Sequence, residues 1–526
     1  MSLSTATAPI IAEPSAAIRR ISPDTSSFPL FAAIAALVWG TSAALWYAAN
    51  GLSLSHYDAR AHLVVARRVI DSLTPGWEQI GAVWLPLPHL LNLLPVQVDL
   101  LYQTGASGIA ISVASFALGV YALTALVVEA THSRVAAATA AVLFMFNPNI
   151  LYLQSTPMTE PLLLGLLLFA TWALFRWATD ASWRRIAGWS LAAACLTRYE
   201  AWPFAASAVG LAAFVRWRAG GDYAVLVKEV AGVAKYPALA VAAFFVHSRI
   251  TIGTWFVTGG FYVPDPATQG QIWAVTTLIG WGACRLGSYA LLFASAGAVL
   301  VILRAARSPA HRPALLTLAL VAVAALPWYA FFEGHPFRIR YMVPVVAAAI
   351  ACVGVGLGCL DARVRHYAAL AVLMGTLATT WPFDSDAAMV REGQWDVGKT
   401  RAREVVTRCL AQRATAESVL MSMGSLAHYM QNLSRAGYDL RDFIHEGNGV
   451  LWQAAVRAPG DHVRWIVVEE RSEGGDELAQ RIGRDPRYLA EFDRICEAAG
   501  VALYRKRASP DLRDEARSGN ETRPGK

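Results

Sequence analysis

The chain has 526 residues, of which 56% are hydrophobic and only 16% are charged. A water-soluble protein needs a larger polar share to cover its surface. Lys and Arg total 45 and Asp and Glu total 38, which gives a net charge of +7. The pattern excludes a disordered chain, a disulfide-dense secreted scaffold and an alternating β-barrel. We therefore expect a mainly α, polytopic helical membrane protein.

The N-terminal segment, residues 1–27, is polar and predicts a disordered cytoplasmic tail. Arg19 and Arg20 precede a long apolar run, an order that secretory and twin-arginine signals share. This run is longer than the apolar core of a signal, and many further apolar runs follow it. We therefore favour a membrane span over a signal.

Apolar windows of about 20 residues, the length that crosses a bilayer, recur between positions 28 and 382. They predict about eleven transmembrane helices, at residues 28–50, 105–128, 134–153, 160–177, 186–202, 203–217, 236–254, 284–303, 314–332, 341–360 and 366–382. Lys and Arg concentrate in alternate loops, among them Arg184 and Arg185, and mark the cytoplasmic side. The predicted outer loops are residues 57–101, 147–160, 198–203, 253–285, 333–340 and everything from 383 onward.

The first outer loop begins directly after the first span and continues as an amphipathic stretch. On a helix, Asp58 and His62 lie one turn apart on one face. Asp58 is a candidate functional acid, although an Asp at this position is also a common helix cap. Trp84 and His89 lie in a proline-rich run that cannot be a regular spanning helix. An interfacial aromatic belt explains the tryptophan better than the histidine.

Three further outer loops carry ionisable residues. Glu160 opens a strongly apolar helix, where an acid is costly unless it faces a wet cavity or a partner; a capping box with the preceding threonines is the alternative. Arg198 and Glu200 lie two residues apart in a short outer connection and could simply pair with other loops. Arg338 and Arg340 stand at the outer end of a span, where guanidinium groups suit either a phosphorylated lipid ligand or generic headgroup anchoring.

Residues 383–507 lose the spanning pattern and predict a small α/β domain, followed by a disordered tail at 508–526. Strands are expected at 419–423, 463–468 and 501–504. Amphipathic helices are expected around 395–411, 451–457, 477–483 and 486–499. Cys409 and Cys496 fall in this domain and could form a disulfide in an oxidising compartment, although sequence does not show that they are within reach. The other four cysteines have no metal-ligand spacing and predict apolar packing.

Five motifs on the predicted outer loops occur together: Tyr57-Asp58-Ala59, Trp84 to His89, Ser155 to Glu160, Thr197 to Glu200, and Arg338-Ile339-Arg340-Tyr341. They resemble the polytopic GT-C glycosyltransferases, in particular bacterial relatives of the protein O-mannosyltransferases (glycosyltransferase family 39) and the lipid A aminoarabinose transferases. The resemblance covers residues 28–382, and the acid after the first span is its most specific element.

The resemblance implies a polyprenyl-phosphate sugar as donor and a hydroxyl of a protein, lipid or glycan as acceptor. It implies transfer with inversion at the outer face of a bacterial inner membrane, with the N-terminus cytoplasmic, the C-terminal domain extracytoplasmic and no nucleic-acid partner. In these families the acid of the first outer loop is the catalytic base, which is Asp58 here. Relatives often carry a second acid beside it, where this chain has Ala59, so Glu160 is the candidate second acid.

The candidate site residues form three sets. The catalytic residues are Asp58 and Glu160. The donor phosphate is expected at Arg338, Arg340, Arg198 and His89. The substrate pocket is expected to include Tyr57, Arg60, His62, Trp84, Glu200, His335 and Tyr341.

Two other classes of protein fit parts of the pattern. A transporter or flippase for a lipid-linked precursor would also gather arginines and acids along a lipid path. Against it, the ionisable residues lie in outer loops and no internal repeat is visible. A binding or scaffolding protein would work through its C-terminal domain. A divalent cation at Asp58, Glu160 and His62 is compatible with their chemistry, but no ligand spacing demands one.

Overall fold

The computed structural model describes residues 27–180, 182–220, 222–257, 262–413, 418–470 and 475–507. The two tails predicted to be disordered lie outside these ranges, except for Ser27, and so do Arg19 and Arg20. Every structural statement below concerns the described residues.

Helices dominate the chain up to residue 377. The α-helices of this part are α1 Phe28–Ala49, α2 Tyr57–Arg68, α3 Leu87–Asn92, α4 Asp99–Thr104, α5 Ala106–Thr131, α6 Arg134–Met145, α7 Pro148–Gln154, α8 Glu160–Asp180, α9 Arg184–Cys195, α10 Ala201–Ala219, α11 Tyr223–Ile252, α12 Ile272–Gly287, α13 Ala290–Arg307, α14 Ala325–Phe332, α15 Val343–Gly358 and α16 Ala362–Leu377. The 3-10 segments are Trp77–Ile80, Pro95–Gln97, Pro309–Ala324 and Ile339–Met342.

Seven helices of the described part are long and apolar enough to cross a membrane, fewer than the predicted eleven. They are Phe28–Ala49, Ala106–Thr131, Glu160–Asp180, Tyr223–Ile252, Ala290–Arg307, Pro309–Phe332 and Ile339–Gly358. The predicted span 134–153 is the pair α6 and α7, bent by 66°, which makes an eighth span if the pair crosses as one. The predicted spans 186–202, 203–217 and 366–382 coincide with α9, α10 and α16, which do not pass the same test of length and hydropathy.

The sequence prediction was wrong between positions 253 and 303. Residues 253–285 were expected to be an outer loop, but α12 occupies the second half of that stretch. The next predicted span begins six residues late, at Ala290. The physical reason is a break after Gly287, where Ser288 has a left-handed φ of 49° that ends one helix before the next begins.

Small residues let the long helices approach closely. A Cβ added to Gly165 of α8 would lie 2.6 Å from the carbonyl oxygen of Ser115 in α5. Gly297 of α13 contacts the backbone of Cys352 in α15 in the same way. Close backbone contact replaces the hydrophobic effect as a source of helix association where lipid surrounds the helices.

The C-terminal part has short elements around one sheet. Its α-helices are α17 Ala388–Gly393, α18 Thr400–Arg413, α19 Met423–Leu426, α20 Met430–Arg435, α21 Val450–Arg457, α22 Pro459–His462 and α23 Glu477–Arg484. Its strands are β1 Val419–Met421, β2 Phe443–Ile444, β3 Trp465–Glu469, β4 Phe492–Ala498 and β5 Val501–Lys506, in the sheet order β2-β1-β3-β5-β4. Strand β1 is parallel to β2 and β3, and β5 is antiparallel to β3 and β4.

The three predicted strands are confirmed, but the helix predicted at 486–499 is wrong. Strand β4 lies there and forms a hairpin with β5. The two turn residues, Ala499 and Gly500, have φ of 45° and 85°, as a tight two-residue hairpin requires. Pairing with β5 therefore overrides the local helical preference of this stretch. A disulfide between Cys409 of α18 and Cys496 of β4 fastens the hairpin to the helix.

Helix α2 packs against this C-terminal part. Ala61, Leu63, Val64 and Ala66 belong to the same hydrophobic cluster as Phe443. At its C-terminal end, Arg67 pairs with Asp71 at 2.9 Å, Asp99 at 2.7 Å and Asp439 at 3.2 Å. The helix that begins with the candidate catalytic acid is therefore held by residues almost 400 positions further along the chain.

Candidate active site

The ends of four segments meet in one buried cluster of acids and arginines. Asp58 comes from the first turn of α2, and Glu160 is the first residue of α8. Arg198 and Glu200 come from the turn before α10, and Arg340 from the 3-10 segment before α15. These residues, separated by up to 282 positions, were all predicted site residues, and the structure brings them together.

Arg340 is the centre of the cluster. Its guanidinium forms an ion pair with Asp58, and its Nε lies 3.5 Å from Oε1 of Glu160. Glu160 is fully buried, and neither of its carboxylate oxygens has a hydrogen-bond partner of good geometry among the described residues. A buried carboxylate in this state is held by charge alone and is open to a new hydrogen-bond donor.

Arg198 holds the other side of Glu160. Its Nη1 lies 3.0 Å from Oε1 of Glu160 and donates a hydrogen bond to the hydroxyl of Thr159 at 3.0 Å. Its Nη2 donates to Glu200 at 2.8 Å. The ring of Tyr341 lies under both guanidinium groups, 5.5 Å from Arg198 and 5.4 Å from Arg340. An aromatic face at this distance attracts a cation and keeps both arginines near the acids.

Asp58 is an ionised acid and not a helix cap. The cap of α2 is His56, whose Nδ1 accepts from the backbone N–H of Asp58 at 3.0 Å. Burial alone would raise the pKa of Asp58, but the guanidinium of Arg340 and the other nearby cations outweigh it and lower the pKa to about 2. The carboxylate is therefore charged at every physiological pH and is available as a hydrogen-bond acceptor.

The capping alternative for Glu160 also fails. Arg198 occupies the Thr159 hydroxyl, and the Thr156 hydroxyl donates to the carbonyl oxygen of Leu153 at 2.6 Å. Neither hydroxyl accepts from a backbone N–H of α8 among the hydrogen bonds of the described residues.

Glu392 of α17 is a member of the cluster that sequence reasoning missed. Its Oε2 accepts from the backbone N–H of Ile339 at 2.8 Å, and its Oε1 lies 3.8 Å from Nη1 of Arg340. His56 lies between the two, with Nε2 at 2.8 Å from Arg340 and 3.7 Å from Glu392. In the sequence, Glu392 is distinguished only by its position after an apolar helix. Many loop residues share that position, so it does not indicate a site residue.

His62, His89 and Trp84 form a second group beside the first. Nδ1 of His62 lies 3.1 Å from Nε2 of His89, and the rings of His62 and Trp84 are 4.2 Å apart. Burial lowers the pKa of His89 to about 3 and that of His62 well below its usual value. His89 is therefore neutral, and the expectation that it supplies positive charge for the donor phosphate is wrong.

Tyr57 and Arg60 face the C-terminal part of the chain. The ring of Tyr57 lies 4.4 Å from that of His428, and Nη2 of Arg60 lies 3.3 Å from Nδ1 of the same histidine. His428 contacts Asp396 at 3.0 Å, and Asp396 pairs with Arg403. Arg403 in turn pairs with Glu469 at the end of β3 at 2.7 Å. A continuous chain of buried ionic contacts thus runs from the sheet to α2.

The remaining predicted residues lie at the edge of the cluster. The ring of His335 is 5.6 Å from that of Tyr341. Arg338 is half-buried. No group of three or more His, Cys, Asp and Glu that could hold a metal ion occurs among the described residues, so Asp58, Glu160 and His62 do not form one there.

The architecture is a bundle of membrane helices with a small C-terminal α/β part. Among solved structures, ArnT from Cupriavidus metallidurans bound to undecaprenyl phosphate matches with a TM-score of 0.58 at 14% identity, over 92% of this chain and 99% of ArnT. ArnT in the apo state matches with a TM-score of 0.55 at 15% identity, over 90% of this chain and 97% of ArnT.

No protein-family description and no curated protein sequence matches the chain. At this identity the likeness to ArnT establishes the fold, and the predicted GT-C resemblance is confirmed at that level.

Proposed function

We propose that the protein is a membrane glycosyltransferase that moves a sugar from a polyprenyl-phosphate donor to an acceptor hydroxyl. The observation that carries the proposal is the buried pair of Asp58 and Arg340, with Glu160 and Arg198 beside it. The reaction needs an acceptor for the hydroxyl proton and positive charge for the leaving phosphate, and this cluster offers both within one ion-pair network. The undecaprenyl phosphate bound to ArnT supports a lipid phosphate as the ligand class.

In the proposed reaction the acceptor oxygen bonds to the anomeric carbon as the bond from that carbon to the phosphate oxygen breaks. The hydroxyl proton passes to Asp58, and the phosphate leaves with the bonding electrons. Attack from the face opposite the phosphate gives inversion. Arg340 would bind the phosphate, assisted by Arg198 and Arg338, because a guanidinium forms two charge-assisted hydrogen bonds with phosphate oxygens.

Donor binding also activates the base in this scheme. In the structure Arg340 holds Asp58, which makes that carboxylate a weak base. A phosphate that takes over Arg340 would remove the counter-ion of Asp58, and the pKa of Asp58 would then rise because burial is no longer compensated. A base with a higher pKa is better matched to a hydroxyl proton.

We propose that the cluster and the C-terminal domain, residues 383–507, face the outside of a bacterial inner membrane, with residues 28–382 as the membrane domain. The disulfide between Cys409 and Cys496 supports this side, because such bonds persist in oxidising compartments. An alkaline phosphatase fusion after Arg507 should be active in intact cells, and an inactive but stable fusion would place the domain in the cytoplasm.

The test of the function is release of polyprenyl phosphate from a panel of polyprenyl-phosphate sugars by the protein purified in detergent. A crude envelope extract supplies the acceptor. We expect wild type to cleave one donor and Asp58→Asn to lose at least about 100-fold in rate, the usual share of a positioned base. Asp386→Asn, which changes an exposed acid paired with Arg391, is the matched control and should be unaffected.

Detergent removes the two compartments that transport needs, so turnover there separates a transferase from a flippase. If wild type is folded and cleaves no donor, the transferase proposal is wrong. If Asp58→Asn is as active as wild type, Asp58 is not the base.

A further inference from the structure

A small cavity lies beside the cluster, walled by α2, α3, α5 and the turn before α8. Its volume is about 20 Å³, and its walls include His62, Asn92 and Thr159 on the polar side and Met158 and Leu162 on the apolar side. A cavity of this size holds a single group as large as a water molecule. It is too small for a sugar ring and large enough for one hydroxyl.

The histidine pair gives this cavity a hydrogen-bond acceptor. Nδ1 of His89 lies 3.2 Å from the carbonyl oxygen of Leu85 and must carry a hydrogen, since a carbonyl only accepts. In the neutral ring Nε2 of His89 then accepts from Nδ1–H of His62, at 3.1 Å. The hydrogen of His62 is thereby fixed on Nδ1, and Nε2 is left with a free lone pair.

Asn92 and Thr159 complete the set. Asn92 is 5% exposed, and its Oδ1 is buried with no hydrogen-bond partner in the described part of the chain. A buried acceptor in this state costs free energy unless a ligand or water pairs with it. The Thr159 hydroxyl accepts from Arg198, so its own hydrogen is available for a ligand oxygen. The residues that line the cavity therefore include two with an acceptor that has no partner in the described part of the chain, Asn92 and His62, and one with an available donor, Thr159.

The cavity is adjacent to the reacting groups. His62 follows Asp58 by one turn of α2, and Thr159 precedes Glu160 directly. Thr159 also shares Arg198 with Glu160. A sugar whose anomeric carbon lies at Asp58 and Arg340 has hydroxyl groups within a few ångströms of that carbon.

We infer that this cavity takes one hydroxyl of the transferred sugar, which donates to Asn92 or His62 and accepts from Thr159. The inference rests on the proposed function and makes the cavity a determinant of which sugar is transferred. The two acceptors of the cavity, Asn92 and His62, need an O–H donor from the ligand. A sugar with fluorine or hydrogen in place of that hydroxyl should therefore bind more weakly, and by the same factor in both cases.

The test measures dissociation constants of the purified full-length protein for the donor that binds most tightly, its monodeoxy and deoxyfluoro analogues, and polyprenyl phosphate without sugar. The variants are Asn92→Leu, which keeps the shape and removes the acceptor, and His62→Phe. Met158→Leu changes an apolar wall of the same cavity and is the control. Unchanged affinity for polyprenyl phosphate shows that each variant is folded.

We expect one deoxygenated position to weaken binding to wild type by about 10-fold, the value of one hydrogen bond. Its fluoro analogue should bind equally weakly. In Asn92→Leu or His62→Phe the complete donor should lose a similar factor, and removing that hydroxyl should then cost nothing further.

The inference is overturned if no analogue differs from the complete donor by more than about 2-fold, or if the same penalty persists in both variants. It is also overturned if the variants raise only the acceptor KM, because the hydroxyl would then belong to the acceptor. Wild type that fails to bind polyprenyl phosphate at all contradicts the proposed function instead, so the two failures are distinguishable.

Discussion

Glu392→Gln should strengthen binding of the lipid phosphate. The cluster holds four carboxylates, those of Asp58, Glu160, Glu200 and Glu392, against two guanidinium groups, so an incoming phosphate meets excess negative charge. A phosphate on Arg340 would lie about 7 Å from the Glu392 carboxylate, where two like charges repel by about 2 kcal/mol at an effective dielectric constant of about 20. The glutamine oxygen can still accept from the N–H of Ile339, so Arg340 keeps its place.

We expect the dissociation constant for polyprenyl phosphate to fall by about 10-fold in this variant, after allowance for partial screening of the computed repulsion. Calorimetry or fluorescence titration of the purified protein measures it. Glu404→Gln makes the same charge change on the exposed face of α18 and should leave the constant within about 2-fold. Weaker or unchanged binding in Glu392→Gln would refute the charge argument. Weaker binding would also show that Glu392 supports Arg340 as a phosphate ligand.

Three further predictions concern stability. Arg403→Met should lower the free energy of unfolding by about 3 kcal/mol because buried Asp396 and Glu469 lose their closest counter-ion and keep only weaker or more distant partners. Arg391→Met, at an exposed pair, should not lower it, and equal melting temperatures of the two variants would contradict the point. Replacing both Cys409 and Cys496 by serine should cost about 4.5 kcal/mol, since the bond closes a loop of 87 residues, and an unchanged denaturation midpoint would refute this. His62, His89, His428 and His445 all have lowered pKa values through burial, so the unfolded chain binds more protons below about pH 6.5. The free energy of unfolding should therefore fall as the pH drops from 7.5 to 5, by up to about 1.4 kcal/mol per histidine and pH unit, and a melting temperature that rises toward pH 5 would contradict the assignment.

The core of the candidate site was predictable because several ionisable residues, each a weak signal alone, occur together on loops of one predicted membrane face. Asp58, Glu160, Arg198 and Arg340 each stand at the end of an apolar helix, where charge is costly, and loops on one membrane face must lie near each other. The sequence did not indicate their pairing. Arg198 and Glu200 were expected to be able to pair with other loops; Arg198 does so with Glu160, and it also pairs with Glu200 itself.

The parts that could not be predicted depend on long-range contacts. Glu392 and His428 have no local pattern that separates them from other loop residues. The packing of α17 near α7 and Ile339 brings Glu392 to the site, and the docking of the C-terminal part on α2 brings His428 near it. Strand β4 was predicted as a helix because its partner β5 decides its conformation. The length of α12 was missed because its apolar run is only 16 residues and lies in a stretch of mixed polarity.

The contacts of α2 also set an order of events during synthesis. Arg67 finds its partner Asp439 only 372 residues later in the chain. At a synthesis rate of roughly 5 to 20 residues per second, Asp439 is made about 20 to 75 s after Arg67. During this time Arg67 can pair only with the nearby Asp71 and Asp99, and the apolar face of α2 that packs on the C-terminal part has no partner there. The candidate catalytic helix is therefore among the first segments made and among the last to reach its final surroundings.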